Sequence, residues 1–263
     1  MNPKILIFIP MYNCEKQIPR VLANFDPETQ KLFSEILVID NGSKDRSQEA
    51  AKGALEKLTN MKTTLVQNNE NYSLGGSHKV AFNYALANGF DYCVVLHGDD
   101  QGSILDLVPY IKSGEYQAYD SFLGSRFHKD SKLVHYPALR KWGNIALNLL
   151  CSMITGNWVS DMGSGLNLYS TQYLKNKFYL YFPNNLTFNV FLLFYGCYAK
   201  SKFKFFPLVW KEEDQISNAK VFQQGFRILY LLLEYLFMRK KLFSGAENEW
   251  SRINYGYKVI YSN

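Results

Sequence analysis

Apolar residues along this chain follow two rhythms. Short, nearly continuous runs at residues 4–9, 35–40, 63–67, 92–96 and 121–123 predict strands. The stretches between them, at 15–24, 45–58, 76–88 and 104–113, carry the spacing of helices. Strands that are apolar on both faces and alternate with helices predict an α/β domain. Its sheet is expected to be mostly parallel and Rossmann-like, covered on both faces. Ligands of such sheets bind beyond the carboxyl ends of the strands, so the polar residues there are the candidates for chemistry.

Past residue 125 the rhythm changes. Residues 139–154 and 186–198 predict helices, 165–169 and 203–209 strands, and 210–220 a polar loop. Residues 221–242 predict a long amphipathic helix ending in Arg239, Lys240 and Lys241. No internal repeat and no Gly/Ser/Pro-rich linker interrupts the chain. The expectation is a domain over residues 1–220, with 221–263 as a C-terminal helix and tail, either part of that domain or an appendage at a membrane surface. Residues 228–238 are apolar except for Glu234. They make about 16 Å of helix against a hydrocarbon core of about 30 Å. Such a helix is too short to span a bilayer. It can lie in the interface, with Arg227 and the 239–241 cluster at the headgroups, or serve as an ordinary core helix with a solvated basic end.

Composition narrows the class. The 263 residues are 47% hydrophobic and 16% aromatic, which excludes a disordered chain or a low-complexity fibre. Cys14, Cys93, Cys151 and Cys197 form no CxxC, so free thiols in a reducing cytosol are expected. The apolar run at 5–9 is too short for a signal peptide. The net charge of +6 is divided unevenly: residues 1–110 hold 10 Lys/Arg against 13 Asp/Glu, and residues 111–263 hold 19 against 10. A basic second half suits nucleic acid, an anionic membrane or a phosphorylated substrate.

Four strand ends carry the candidate chemistry. After the first come Pro10, Met11, Tyr12 and Asn13; Pro10 ends the strand and Tyr12 offers a ring to a base. The second ends in Asp40-Asn41-Gly42-Ser43. A carboxylate there can accept from a base imide or a ribose hydroxyl, and Asp45 can cap the following helix. After the third, Gly75 and Gly76 precede a helix, where backbone N–H groups can approach an anion. Neither the GxGxxG nor the GxxxxGK[ST] spacing is present, and His78 reads as a surface or capping histidine. The fourth ends in His97-Gly98-Asp99-Asp100-Gln101. Two acids and an amide at the edge of an apolar strand call for a counter-charge, and hard oxygen ligands suit Mg²⁺ or Mn²⁺ on a diphosphate.

In this order the motifs resemble the family 2 glycosyltransferases, inverting enzymes with a GT-A fold. The likeness runs from residue 4 to about 220. It takes in residues 9–13 and 38–43, the stretch of Asn71, Gly76, Ala81 and Asn83, and Asp99 with Gln101. It continues through Gly124-Ser125-Arg126-Phe127, Arg140 with Asn144, Asp161-Met162-Gly163-Ser164-Gly165 and residues 183–188. This second set resembles the branch that includes dolichyl-phosphate mannose synthase and bacterial polyprenyl-phosphate glycosyltransferases. The resemblance implies donor binding by Pro10, Tyr12, Asn13, Asp40, Gly76 and Asp99, with Asp99 and Gln101 on a Mg²⁺ or Mn²⁺ ion. Arg126 and Arg140 match arginines that meet phosphates. Asp161 matches an acid near the acceptor, which would orient the acceptor or sugar if the acceptor is a lipid phosphate and act as a general base if it is a hydroxyl. Two departures stand out. His97 replaces the first acid of the usual Asp-x-Asp-x-Gln, so that either Asp100 compensates or the metal is held more weakly, and Cys14-Glu15 follows Asn13 where the family commonly has Glu.

The function expected is transfer of a sugar from a nucleoside-diphosphate sugar to a polyprenyl phosphate, in bacterial envelope glycan synthesis. The enzyme would be cytoplasmic or peripheral on the inner face of the plasma membrane. The alternative acceptor is a sugar hydroxyl of a surface polysaccharide. A non-catalytic nucleotide-sugar or nucleic-acid binding protein is the distant alternative. Dispersed basic residues and the lack of an RNP or helix-turn-helix pattern disfavour nucleic acid.

Overall fold

The computed structural model describes residues 3–214, 221–243 and 249–263. The first half repeats strand and helix: β1 (Ile5–Met11), α1 (Ile18–Ala23), α2 (Pro27–Gln30), β2 (Glu35–Asp40), α3 (Ser47–Leu55), β3 (Lys62–Asn68), α4 (Ser73–Ala87), β4 (Tyr92–Leu96) and α5 (Val108–Ser113). The second half comprises β5 (Ser121–Ser125), β6 (Lys132–Val134), α6 (Ala138–Thr155), β7 (Leu166–Ser170), α7 (Thr171–Leu174), α8 (Phe188–Tyr198), β8 (Phe203–Pro207), β9 (Val209–Lys211), α9 (Val221–Leu242) and β10 (Tyr257–Ser262).

Eight strands make one sheet in the order β10-β3-β2-β1-β4-β7-β5-β8, in which only β7 and β10 run antiparallel to their neighbours. The period-2 geometry of a strand sorts β1 between the two faces. Ile5, Ile7 and Ile9 pack with residues of α1 and α3, while Leu6 and Phe8 pack with residues of α4 and α8. Each such buried side chain contributes about 1.5–3 kcal/mol, so a strand apolar on both faces is stable only in the middle of a covered sheet. β1 is also where strand order reverses, with β2 and β3 to one side and β4 to the other. A crevice opens at the carboxyl ends of strands flanking such a reversal. Gly98 permits the close approach there: its N–H donates to the Pro10 carbonyl at 3.2 Å, and a Cβ would lie 2.9 Å from that oxygen.

The expected run at 203–209 divides in two. Pro207, without an N–H, ends β8, and the chain turns at Leu208 into β9, which pairs with β6 in a separate two-stranded sheet. Val209–Lys211 is therefore a strand, with Trp210 buried, so the expected polar loop loses its first two residues and 212–214 are irregular; residues 215–220 lie outside the described residues. β10 was also not anticipated. It runs along the edge of the sheet with Val259 and Ile260 exposed, so it carries no one-face apolar signature. Through it the C-terminal residues return to the sheet beside β3.

Among the described residues one lysine is fully enclosed. Lys79 of α4 donates to the carbonyls of Leu180 (3.1 Å) and Phe182 (2.5 Å) and to the Tyr255 hydroxyl (3.1 Å), tying α4 to two later segments. Burial pushes its ammonium down to about 7. Above that value the native state binds fewer protons than the unfolded chain, so stability rises with pH. Urea unfolding is expected to show a gain of about 1–2 kcal/mol between pH about 7 and about 8.5, part of the desolvation cost being offset by the carbonyl contacts. Lys79→Met is expected to remove that slope.

Candidate active site

The end of β2 prepares one wall of the crevice. Asp40 is fully buried; its Oδ1 accepts the Ser43 N–H at 3.0 Å and its Oδ2 the Gln48 amide at 2.5 Å. Asn13 adopts a left-handed φ of 53°, accepts from the Lys44 N–H, and donates its own N–H to Ser43 Oγ. The ends of β1 and β2 are thereby locked together beside Pro10 and Tyr12. Asp45 accepts from the backbone N–H groups of Glu15 and Ser47, while Glu15 pairs with Arg46 at 2.7 Å. The glycine pair behaves differently from an anion cradle. Gly75 donates its N–H to the Asn184 carbonyl at 2.6 Å, and a Cβ there would lie 2.7 Å from the Pro183 oxygen. Gly76 is covered by Tyr72 and Tyr255. Small residues are needed at both positions because protein atoms fill the space.

The end of β4 carries the acids. Asp99 is partly buried, and its Oδ1 accepts the Gln101 N–H at 3.3 Å. Desolvation pushes its carboxyl up, with His97 opposing, and desolvation likewise pushes His97 down. The His97 ring packs against Gly165, where a Cβ would lie 2.9 Å from its Cγ, and edge-on to His78 at 6.3 Å between centroids. His78 is thus not at the surface. It is buried against Phe8, Phe82 and Phe188, and burial pushes it down to about 3. Asp100 does not stand in for the missing acid: its φ of 61° turns it to Arg20, which binds it at 2.6 Å and Asp214 at 2.7 Å. The remaining oxygen donors are Asp99 and the Gln101 side chain. Among the described residues no group of three or more His, Cys, Asp or Glu is placed to hold a metal. This short set of hard donors fits a cation whose other ligands are diphosphate oxygens and water.

Two arginines of the second half are held by carboxylates. Arg126 binds Asp161 through Nε at 2.8 Å, through a terminal nitrogen at 2.8 Å and through its backbone N–H at 2.9 Å. The Gly163 N–H adds a fourth bond to Asp161 at 3.0 Å. Burial disfavours the guanidinium's charge, but Asp161 more than offsets this and holds its pKa above the usual value. Asp161 is therefore held by Arg126 and the Gly163 N–H rather than standing free, as a general base would. Arg140 pairs with Glu212 at 2.6 Å and lies over the Tyr136 ring at 4.8 Å.

β9 joins the two sides. The Lys211 N–H donates to the Gln101 carbonyl at 3.0 Å, Trp210 lies 5.1 Å from the Arg126 guanidinium, and Glu212 follows directly. Sequence reasoning missed Trp210, Glu212, Arg20 and Gln48. A tryptophan followed two residues later by an acid, inside an otherwise polar stretch, was the available signal for the first two.

A mostly parallel sheet covered by helices, with an acid and an amide at its switch point, is the architecture of a GT-A glycosyltransferase. Residues 6–178 match the family model Glycosyl transferase family 2, and the chain belongs to that family. The chain is 26% identical over 181 residues to the UDP-N-acetylglucosamine–dolichyl-phosphate N-acetylglucosaminyltransferase of Methanococcus voltae, covering 65% of this chain and 71% of that one. It is 29% identical to the undecaprenyl-phosphate 4-deoxy-4-formamido-L-arabinose transferase of Photorhabdus laumondii, covering 63% of this chain and about half (49%) of that enzyme. Its fold is similar to the crystal structure of Mycobacterium tuberculosis glucosyl-3-phosphoglycerate synthase in complex with Mn²⁺, UDP and glucosyl-3-phosphoglycerate. The TM-score is 0.63 at 16% identity, over 88% of this chain and 79% of that one.

Proposed function

We propose that this enzyme transfers a sugar from UDP to the phosphate of a polyprenyl lipid, with inversion at the anomeric carbon. Asp40, Pro10, Tyr12 and Asn13 hold the nucleoside in the crevice between β1 and β4. Asp99 and Gln101 would hold a Mg²⁺ or Mn²⁺ ion, which when bound would supply neutralisation of the leaving group's charge. Arg126 and Arg140 face phosphate oxygens, the planar guanidinium suiting that geometry. The C1–O bond to UDP breaks as an acceptor phosphate oxygen forms its bond to C1. Residues 1–220 carry this chemistry, and residues 221–263 add α9, which faces the membrane, and the edge strand β10.

The observation that carries the choice of acceptor is the state of Asp161. A hydroxyl acceptor must lose a proton and needs a base, yet the candidate carboxylate is consumed by four hydrogen bonds. A lipid phosphate is already anionic at neutral pH. The names of the polyprenyl-phosphate relatives and the Mn²⁺ and UDP of the structural neighbour support the same reading. Among the described residues no helix is long and apolar enough to cross a membrane, and we place the enzyme on the inner face of the plasma membrane, where nucleotide sugars are made. The test is incubation with UDP-sugars, Mn²⁺ or Mg²⁺ and a short-chain polyprenyl phosphate, read by mass spectrometry. A glycosylated lipid phosphate of inverted configuration is expected. Transfer to a glycan hydroxyl with none to the lipid would overturn the reading.

A further inference from the structure

We propose that the outer faces of α6 and α9 together form one docking surface for an anionic lipid bilayer. This inference deepens the lipid-phosphate reading and rests on it for what the docked site is used for. The two helices pack against each other. Their inner faces, with Leu147, Leu150 and Ile154 on α6 and Leu231, Leu232 and Tyr235 on α9, enter one core cluster. The opposite faces are also apolar, which an ordinary core helix does not need.

On α6 the outward positions are Leu139, Trp142, Leu149 and Met153, at spacings of three, seven and four that keep them on one stripe. Leu139 is 80% exposed, Trp142 65% and Met153 73%. On α9 the outward stripe is Phe226, Leu229, Tyr230, Leu233, Leu236 and Phe237, the last 76% exposed. Apolar side chains exposed in this number along two packed helices are rare on a soluble monomer and point to an interaction site.

Charge around the stripes selects the partner. Lys141 on α6 and Arg227, Arg239 and Lys240 on α9 are all exposed, and Lys141 lies 5.7 Å from the Trp142 ring. Both helices carry one acid between them, Glu234, which is half-buried. An apolar stripe edged with cations matches a bilayer with anionic headgroups, where each basic residue near the surface contributes about 1 kcal/mol. A protein partner or second copy would need acids to meet these cations. Position adds a reason for α6 to be half of the surface: Leu139 and Trp142 bracket Arg140, whose partner Glu212 adjoins the β9 residues at the site. A docked α6 therefore sets the site at the level of the headgroups.

The experiment is flotation of the full chain with vesicles of phosphatidylcholine alone or mixed with phosphatidylglycerol, alongside tryptophan fluorescence and sedimentation. We expect flotation with anionic vesicles, weakened by salt, and a blue shift lost in Trp142→Phe. Leu233→Glu/Phe237→Glu and Trp142→Glu should each reduce the bound fraction at least tenfold. These sites are exposed, so the variants should keep their far-ultraviolet spectrum, donor hydrolysis, and transfer to a short water-soluble phosphate acceptor. That last measurement separates the two ideas: loss of flotation with transfer retained supports docking, whereas absent transfer with intact flotation strikes only the lipid-phosphate reading. Equal flotation with neutral vesicles, no flotation at low salt, or a dimer that the glutamate variants dissolve would each overturn the proposal.

Discussion

Asp161→Ala is expected to destabilise the protein by about 3–5 kcal/mol, the cost of leaving a buried arginine without its counter-charge. The Arg126 side chain is 10% exposed and that of Asp161 1%, so water cannot replace the lost carboxylate. Asp161→Asn should recover part of the loss, because its one amide oxygen can still accept from either the Arg126 or the Gly163 backbone N–H. It cannot balance the charge. Arg126→Met with Asp161→Leu removes both charges and is expected to restore stability to within about 1–2 kcal/mol of the parent while leaving transfer abolished. Urea unfolding of the parent, Arg126→Met, Asp161→Leu and the double variant gives the cycle directly. Turnover against pH separates this role from general-base catalysis. A base removed by Asp161→Asn would leave stability near the parent's and abolish the pH dependence of turnover. A positioning residue removed by the same change lowers stability and turnover together, and the profile keeps its shape.

The strand ends could be read from sequence because each motif is local. Pro10, Asp40 and Asp99 lie within a residue or three of an apolar run, and the parallel sheet brings those ends to one edge without further information. What could not be read was which acid faces which cation. Asp100 and Arg20 are eighty positions apart and Arg140 and Glu212 seventy-two, so no window of sequence joins them. The glycines at 75 and 76 show the same limit: a Gly-Gly before a helix is identical in sequence whether a phosphate or the Pro183 carbonyl fills the space. β9 was hidden because three residues are too few for a period-2 pattern, and β10 because an exposed edge strand has no buried face to advertise. His78 was misjudged for a related reason, since its aromatic neighbours come from β1 and α8 as well as from its own helix.

Asp99→Asn is expected to lower kcat/KM for the sugar donor by about 10²–10³, the scale on which one preorganised electrostatic contact to a developing charge is felt. The expectation follows from how few oxygens the site offers. With His97 packed against Gly165 and Asp100 bound to Arg20, Asp99 is the one carboxylate of the 97–101 turn left to face a diphosphate. Where two acids share a cation, removing one weakens the site; here removal leaves only a neutral amide. Asp100→Asn should cost less than tenfold, because its loss loosens Arg20 and Asp214 without touching the donor. Thermal shift provides a second reading that needs no turnover. UDP with Mn²⁺ should raise the melting temperature of the parent and of Asp100→Asn, and UDP alone should do so much less. In Asp99→Asn the difference between the two conditions should vanish, while the melting temperature without ligand should hold or rise, since burial already disfavours this carboxylate's charge. Full donor activity in Asp99→Asn, with the Mn²⁺ effect intact, would move the cation away from β4 and require a different set of oxygens to hold it.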